Sequence, residues 1–130
     1  MTRYLHTMYR ITDPEKSRAF YEALGLTFRR DMDIVRGGEK EATNYFFGVP
    51  GQDEELELTY NHDGRTYDVG TGYGHIALAV DDMDEALSQL EQQLPREQRA
   101  IQLALRENAA GHAAPAEGLY LPLRSISSTL

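Results

Sequence analysis

A strand-then-helix start that occurs twice is the feature of this sequence that most constrains its fold. Residues 4–11 (YLHTMYRI) alternate, with Tyr4, His6, Met8 and Arg10 on one face and Leu5, Thr7, Tyr9 and Ile11 on the other. Asp13-Pro14-Glu15 then supplies a helix N-cap, a proline at the first helical position and an acid in the first turn. Ala19, Phe20, Ala23 and Leu24 recur at helical spacing, and Gly25 gives the stop. The same start returns at Gly74–Val80 (GHIALAV), a second strand, followed by Asp81-Asp82 and a helix carrying Met83, Ala86, Leu87 and Leu90. Both strands open with a histidine.

Between the two starts, strands are predicted near 27–36, 41–49 and 54–60, separated by turns at Arg36-Gly37-Gly38 and Val49-Pro50-Gly51. Residues 1–61 thus read as one βαβββ module, and 74–93 as the beginning of another, in a single domain of 130 residues. The expected fold class is α+β, with paired βαβββ modules of which the second is incomplete.

The incompleteness shows in composition. Residues 94–130 contain no Asp, no Val and a single aromatic, Tyr120, whereas three further strands would need β-branched and aromatic residues in alternation. Pro95–Ala110 is instead rich in helix formers, with Gly111 as a stop, and the rest is Ala/Gly/Pro- and then Ser-rich. An atypical tail is expected there, a helix followed by a loose end. A change of reading frame near residue 94 is the simplest origin of such a break, and translating the alternative frames of the gene tests it.

Composition also narrows the partners. A formal charge of −8 argues against non-specific nucleic-acid binding. No apolar run approaches the roughly 18 residues of a membrane span, and no signal-peptide core is visible, so a cytoplasmic protein without membrane association is expected. The chain has no cysteine, which removes thiolate ligands and disulfides.

Four stretches carry a more specific signal: Leu5-His6-Thr7-Met8-Tyr9-Arg10, Phe20-Tyr21-Glu22-Ala23-Leu24-Gly25-Leu26, Glu57-Leu58-Thr59-Tyr60-Asn61 and Gly70-Thr71-Gly72-Tyr73-Gly74-His75-Ile76-Ala77. In this order and spacing, over about residues 1–93, they resemble glyoxalase I (lactoylglutathione lyase) of the vicinal-oxygen-chelate superfamily. The resemblance implies strands forming a cup around a divalent metal, Ni²⁺ or Zn²⁺, with His6, Glu57 and His75 as ligands. Two imidazoles and a carboxylate suit such ions. It implies a homodimer whose active site is shared between two chains. It further implies that the glutathione–methylglyoxal hemithioacetal is isomerised to S-lactoylglutathione by proton transfer from C1 to C2, with Arg10 and Asn61 holding the γ-glutamyl end. An arginine fork reading a carboxylate is sound chemistry.

The family's proton carrier and fourth ligand is a glutamate in a DPDGY-x-x-E type sequence on the last strand. No such sequence exists here, and the carboxylates beyond Leu94 are Glu97, Glu107 and Glu117. Two alternatives therefore stand beside the lyase: an inactive metal- or small-molecule-binding protein of the same fold, and another enzyme of the superfamily such as a dioxygenase. Away from the motifs, a strand histidine is more often satisfied by a hydrogen bond than ligating, and His62 and His112 read as surface residues. Tyr60 and Tyr73 read as lining the cup or packing the core.

Overall fold

The computed structural model describes residues 1–94 and the backbone of residues 102–103 and 117–122. The chain divides into two compact units, the first spanning Met1–Asp68 and the second Val69–Ser128.

The first unit runs β1 (His6–Ile11), α1 (Pro14–Ala23), β2 (Thr27–Arg36), β3 (Glu39–Gly48) and β4 (Glu55–Asn61). Its sheet has the order β1-β4-β3-β2, with β1 parallel to β4 and the other pairs antiparallel. Helix α1 starts where the sequence predicts. Asp13 accepts a hydrogen bond from the Lys16 amide at 3.0 Å, and Pro14 occupies the first turn, where no amide proton is needed. The helix ends at Gly25, whose φ of 98° a residue with a Cβ rarely adopts.

Strand alternation gives this sheet two different faces. On the back face, Tyr9, Phe28, Phe47 and Leu58 meet α1: the Tyr21 ring lies 6.0 Å from Phe47, and the Tyr9 and Tyr21 hydroxyls are 2.5 Å apart. Ile11, Phe20, Tyr21, Phe47 and Leu58 are essentially sealed from water, so the unit's core lies on this side. Burying a side chain of this size stabilises by about 1.5–3 kcal/mol. The front face carries His6, Met8 and Arg10 on β1, Glu55, Glu57, Thr59 and Asn61 on β4, and Asn44 and Phe46 on β3, as the register requires. Met8 and Met32 remain exposed there.

The second unit begins as the first does. Strand β5 (His75–Val80) leads to α2 (Met83–Gln93), capped by Asp82, which accepts from the Glu85 amide at 3.1 Å. Met83 and Leu90, on one face of α2, are buried. The unit then departs from the expected tail. The backbone of β6 (Gln102–Leu103) and β7 (Glu117–Pro122) is strand, and the sheet order is β5-β7-β6 with every pair antiparallel.

The helix expected over 95–110 is therefore broken at Gln102–Leu103, and the expected loose end contains a six-residue strand. Helix propensity is a weak prior, and β5 presents a row of backbone donors and acceptors that pairing satisfies. The stretch Leu119-Tyr120-Leu121 has the apolar and aromatic character a strand uses. The remaining tail residues, His112 and Glu107 among them, lie outside the described residues. Among the described residues, no helix is long and apolar enough to cross a membrane.

Candidate metal centre

The parallel pairing of β1 and β4 builds the centre of the front face. His6 stands opposite Glu55 and Met8 opposite Glu57, so His6 and Glu57 are diagonal neighbours on one face. His6 Nε2 lies 3.2 Å from Glu57 Oε2. The imidazole is 45% exposed and the carboxylate 12%, which leaves the nitrogen accessible while the oxygen is set into the sheet. Phe46, opposite Glu57 on β3, meets the His6 ring edge-on at 6.4 Å between centroids and limits how it can turn.

The donor set can be tested against an ion by its separation. Two ligand atoms each about 2.0–2.2 Å from one divalent ion stand about 2.8–3.6 Å apart at tetrahedral to octahedral angles. The observed 3.2 Å falls in that interval, so the pair fits a shared ion as two adjacent ligands. Among the described residues, no third His, Asp or Glu joins the pair within this unit.

Arg10 and Asn61 share this front face. Arg10 stands opposite Thr59, is exposed and forms no ion pair among the described residues. The Asn61 carbonyl accepts a hydrogen bond from the Tyr67 hydroxyl at 2.9 Å, which orients the amide and leaves its NH₂ group to donate. Beneath them, Thr59 donates to the Asn44 carbonyl at 2.8 Å, a buried link fixing β4 against β3. The structure thus brings His6 and Glu57 together and aligns Arg10 and Asn61 along the same face.

His75 opens β5 in the second unit, where it is exposed and stands opposite Pro122. Glu117, the tail carboxylate in a described strand, stands opposite Val80 at the other end of β5. Five residues of strand separate the two positions, roughly 16 Å. Within the unit, Glu117 is too far from His75 to act as its neighbouring ligand.

Sequence reasoning left one residue open between two places and underrated another. Tyr60 stands opposite Thr43 and Ile11, on the back face, and does not line the front of the sheet. His62 is exposed as expected, but it is engaged: its Nε2 is 2.8 Å from Thr43 Oγ1, and its ring meets Tyr60 edge-on at 4.8 Å. The Thr43 hydroxyl donates to Asp33 at 2.7 Å, so its oxygen accepts from His62. With Lys40 3.1 Å away, this hydrogen bond holds the Asp33 carboxyl below the usual carboxylate range. Desolvation, aided by Asp31 and Asp33, raises the Tyr45 hydroxyl above its ordinary value. The alternation of 41–49 against 54–60 was the signal that could have placed Tyr60 on the back face.

Comparison with known proteins agrees with this architecture. The family model of the Glyoxalase/Bleomycin resistance protein/Dioxygenase superfamily matches residues 3–101, and the chain belongs to that superfamily. Within it the chain is similar to lactoylglutathione lyases. It is 42% identical over 96 residues to that of Salmonella typhimurium, covering 69% of this chain and 67% of that protein. It is also 42% identical over 84 residues to a probable chloroplastic lactoylglutathione lyase of Arabidopsis thaliana, and this covers 62% of this chain but 23% of that protein. A glyoxalase I of Leishmania major, described as trypanothione-dependent, superposes with a TM-score of 0.62 at 29% identity, covering 98% of this chain and 91% of that one. The paired-module fold with an incomplete second module is consistent with these neighbours.

Proposed function

We propose that this chain binds a divalent metal ion, nickel or zinc, through His6, Glu57 and His75, and takes the hemithioacetal of glutathione and methylglyoxal. The observation that carries this reading is the His6–Glu57 pair, whose 3.2 Å separation suits two adjacent ligands. When bound, the metal would supply Lewis-acid stabilisation of the oxyanion that develops as the C1 proton leaves.

The chain's own residues supply the rest. Arg10, accessible and without a carboxylate partner among the described residues, grips the γ-glutamyl carboxylate. Asn61, oriented by Tyr67, donates its NH₂ beside it. Phe46 keeps the His6 ring from swinging away. The expected working form is a cytoplasmic homodimer, in which His75 comes from the second unit of one or other chain.

Moving the proton from C1 to C2 needs a carrier, and the one carboxylate on the strand opposite β5, Glu117, pairs with Val80 at the far end of the strand from His75. General acid–base catalysis is worth roughly 10²–10⁴-fold, so turnover should fall short of an intact lyase by about that factor. This favours a second reading, a protein of the same fold that retains metal and thiol binding without appreciable turnover.

Calorimetric titration tests the shared core of both readings. One Ni(II) per chain should bind, and S-hexylglutathione should bind the loaded protein. Arg10→Lys should weaken that thioether by about tenfold while leaving Ni(II) affinity unchanged, since a lysine cannot reproduce the bidentate fork. Absence of Ni(II) binding would overturn the proposal.

A further inference from the structure

A second carboxylate lies beside the candidate ligands. Glu55 shares the front face with Glu57, two residues along β4, and stands directly opposite His6. Like Glu57 it is largely covered, with 16% of its side chain exposed. Carboxylate oxygens bind any divalent ion, and same-face neighbours on a strand stand about 7 Å apart, close enough for both side chains to reach one ion.

Glu55 is held elsewhere by two arginines. Arg30 Nη2 lies 2.7 Å from Glu55 Oε1, and Arg29 Nη1 lies 3.5 Å from Oε2. Consecutive strand residues normally point to opposite faces, but the register of β2 against β3 shifts between Phe28 and Arg30. This bulge turns both arginines toward the front. The Arg30 guanidinium also stacks over the Phe46 ring at 3.7 Å, the same ring that borders His6. Arg29 reaches the carbonyls of Val49, Gln52 and Asp53, crossing Gly48, where a Cβ would fall 2.1 Å from its Cζ. Its guanidinium is thus committed to the β3–β4 turn, and Arg30 provides the close contact with Glu55.

We infer that Arg30, assisted by Arg29, withholds Glu55 from the metal, so that the first unit presents His6 and Glu57 alone. The inference rests on the metal reading above. Arg30 is on this account a positioning residue: it sets the ligand count by occupying a carboxylate that would otherwise join. An added carboxylate would lower the charge of the centre and fill a position that substrate oxygen needs.

The test is a double-mutant cycle on the full chain with Co(II), read by binding affinity and by visible absorption, which reports coordination number. In Arg30→Gln, Co(II) should bind about tenfold tighter, the size of effect seen when a ligand's outer partners change, and its spectrum should shift. Glu55→Gln alone should leave the spectrum unchanged, and Arg30→Gln/Glu55→Gln should restore it. Removing Glu55 should therefore cost about tenfold more affinity in the Arg30→Gln background than in the intact one.

Strictly additive affinities with an unshifted spectrum in Arg30→Gln would reduce the effect to charge alone and overturn the inference. A spectral change in Glu55→Gln alone would overturn it too, by making Glu55 a ligand already, and that arm holds even if Arg30→Gln does not fold. Failure of the unsubstituted protein to bind Co(II) or Ni(II) would overturn the metal reading, and the inference with it. Normal binding with an inert cycle would overturn the inference alone.

Discussion

The two units of this chain start alike and finish differently. Each opens with a strand led by a histidine, His6 or His75, and each continues into a helix capped by an aspartate, Asp13 or Asp82. In the first unit the neighbour of the opening strand is the parallel β4, which brings Glu57 to the histidine. In the second the neighbour is the antiparallel β7, which brings Pro122. A parallel partner requires a long crossover through intervening strands, and the first unit has the β2 and β3 sequence to make one. In the second unit 36 residues lead from β5 to β7, and the two strands pair antiparallel. What stands beside the opening histidine is thus not a local property: the β1–β4 register brings a carboxylate to His6, and the β5–β7 register a proline to His75.

The largest effect should come from the first unit's core, on which that delivery depends. Phe47 is 1% exposed and touches both Tyr21 and Phe28, so Phe47→Ala should destabilise the protein by about 3–5 kcal/mol, measured by urea unfolding. A loss under 1 kcal/mol would mean that the α1–sheet interface does not hold the module together.

Next in size is the contrast between the histidines. His6→Ala should weaken Ni(II) binding by about 10- to 100-fold, and His75→Ala should do the same if the second unit's histidine serves the same ion. Loss with His6→Ala but not with His75→Ala would make the asymmetry complete, with a metal site built by one unit only.

The smallest effect is a pH dependence on the back face of the first unit. The Thr43 hydroxyl and then Lys40 hold the Asp33 carboxyl below its usual range. A depressed carboxylate contributes stability that is present above its unfolded-state value of 3.8 and is lost as the pH falls through the folded one. Asp33→Asn should therefore lower stability slightly at neutral pH, where the contribution is present, and flatten the acid limb of the stability curve below about pH 4, where it is lost in the unsubstituted protein. An unchanged acid limb would show that the Asp33–Thr43–His62 chain contributes nothing in solution.

Much of this was legible in the residues, for physical reasons. Asp13-Pro14 and Asp82 announced their helices because orphan amides need acceptors, and alternation in YLHTMYRI put His6 and Arg10 on one face. The convergence of His6 with Glu57 was not legible from spacing, since it depends on the β1–β4 register, which is set by 43 residues of intervening fold. The Arg29-Arg30 pair was silent for a similar reason: only a bulge sends both side chains to one carboxylate. The strand at 102–103 escaped because pairing overrode a helix-leaning composition, and that at 117–122 because its short apolar stretch is set among Ala, Gly, Pro and Ser.

On the proposed function, the chain keeps a metal-binding pair, His6 and Glu57, without the carboxylate that would carry the proton. Steady-state formation of S-lactoylglutathione by the Ni(II)-loaded protein tests it most directly, with the Salmonella typhimurium lyase as reference. Stoichiometric metal and turnover lower by about 10²–10⁴-fold are expected. Turnover equal to the reference enzyme would contradict it.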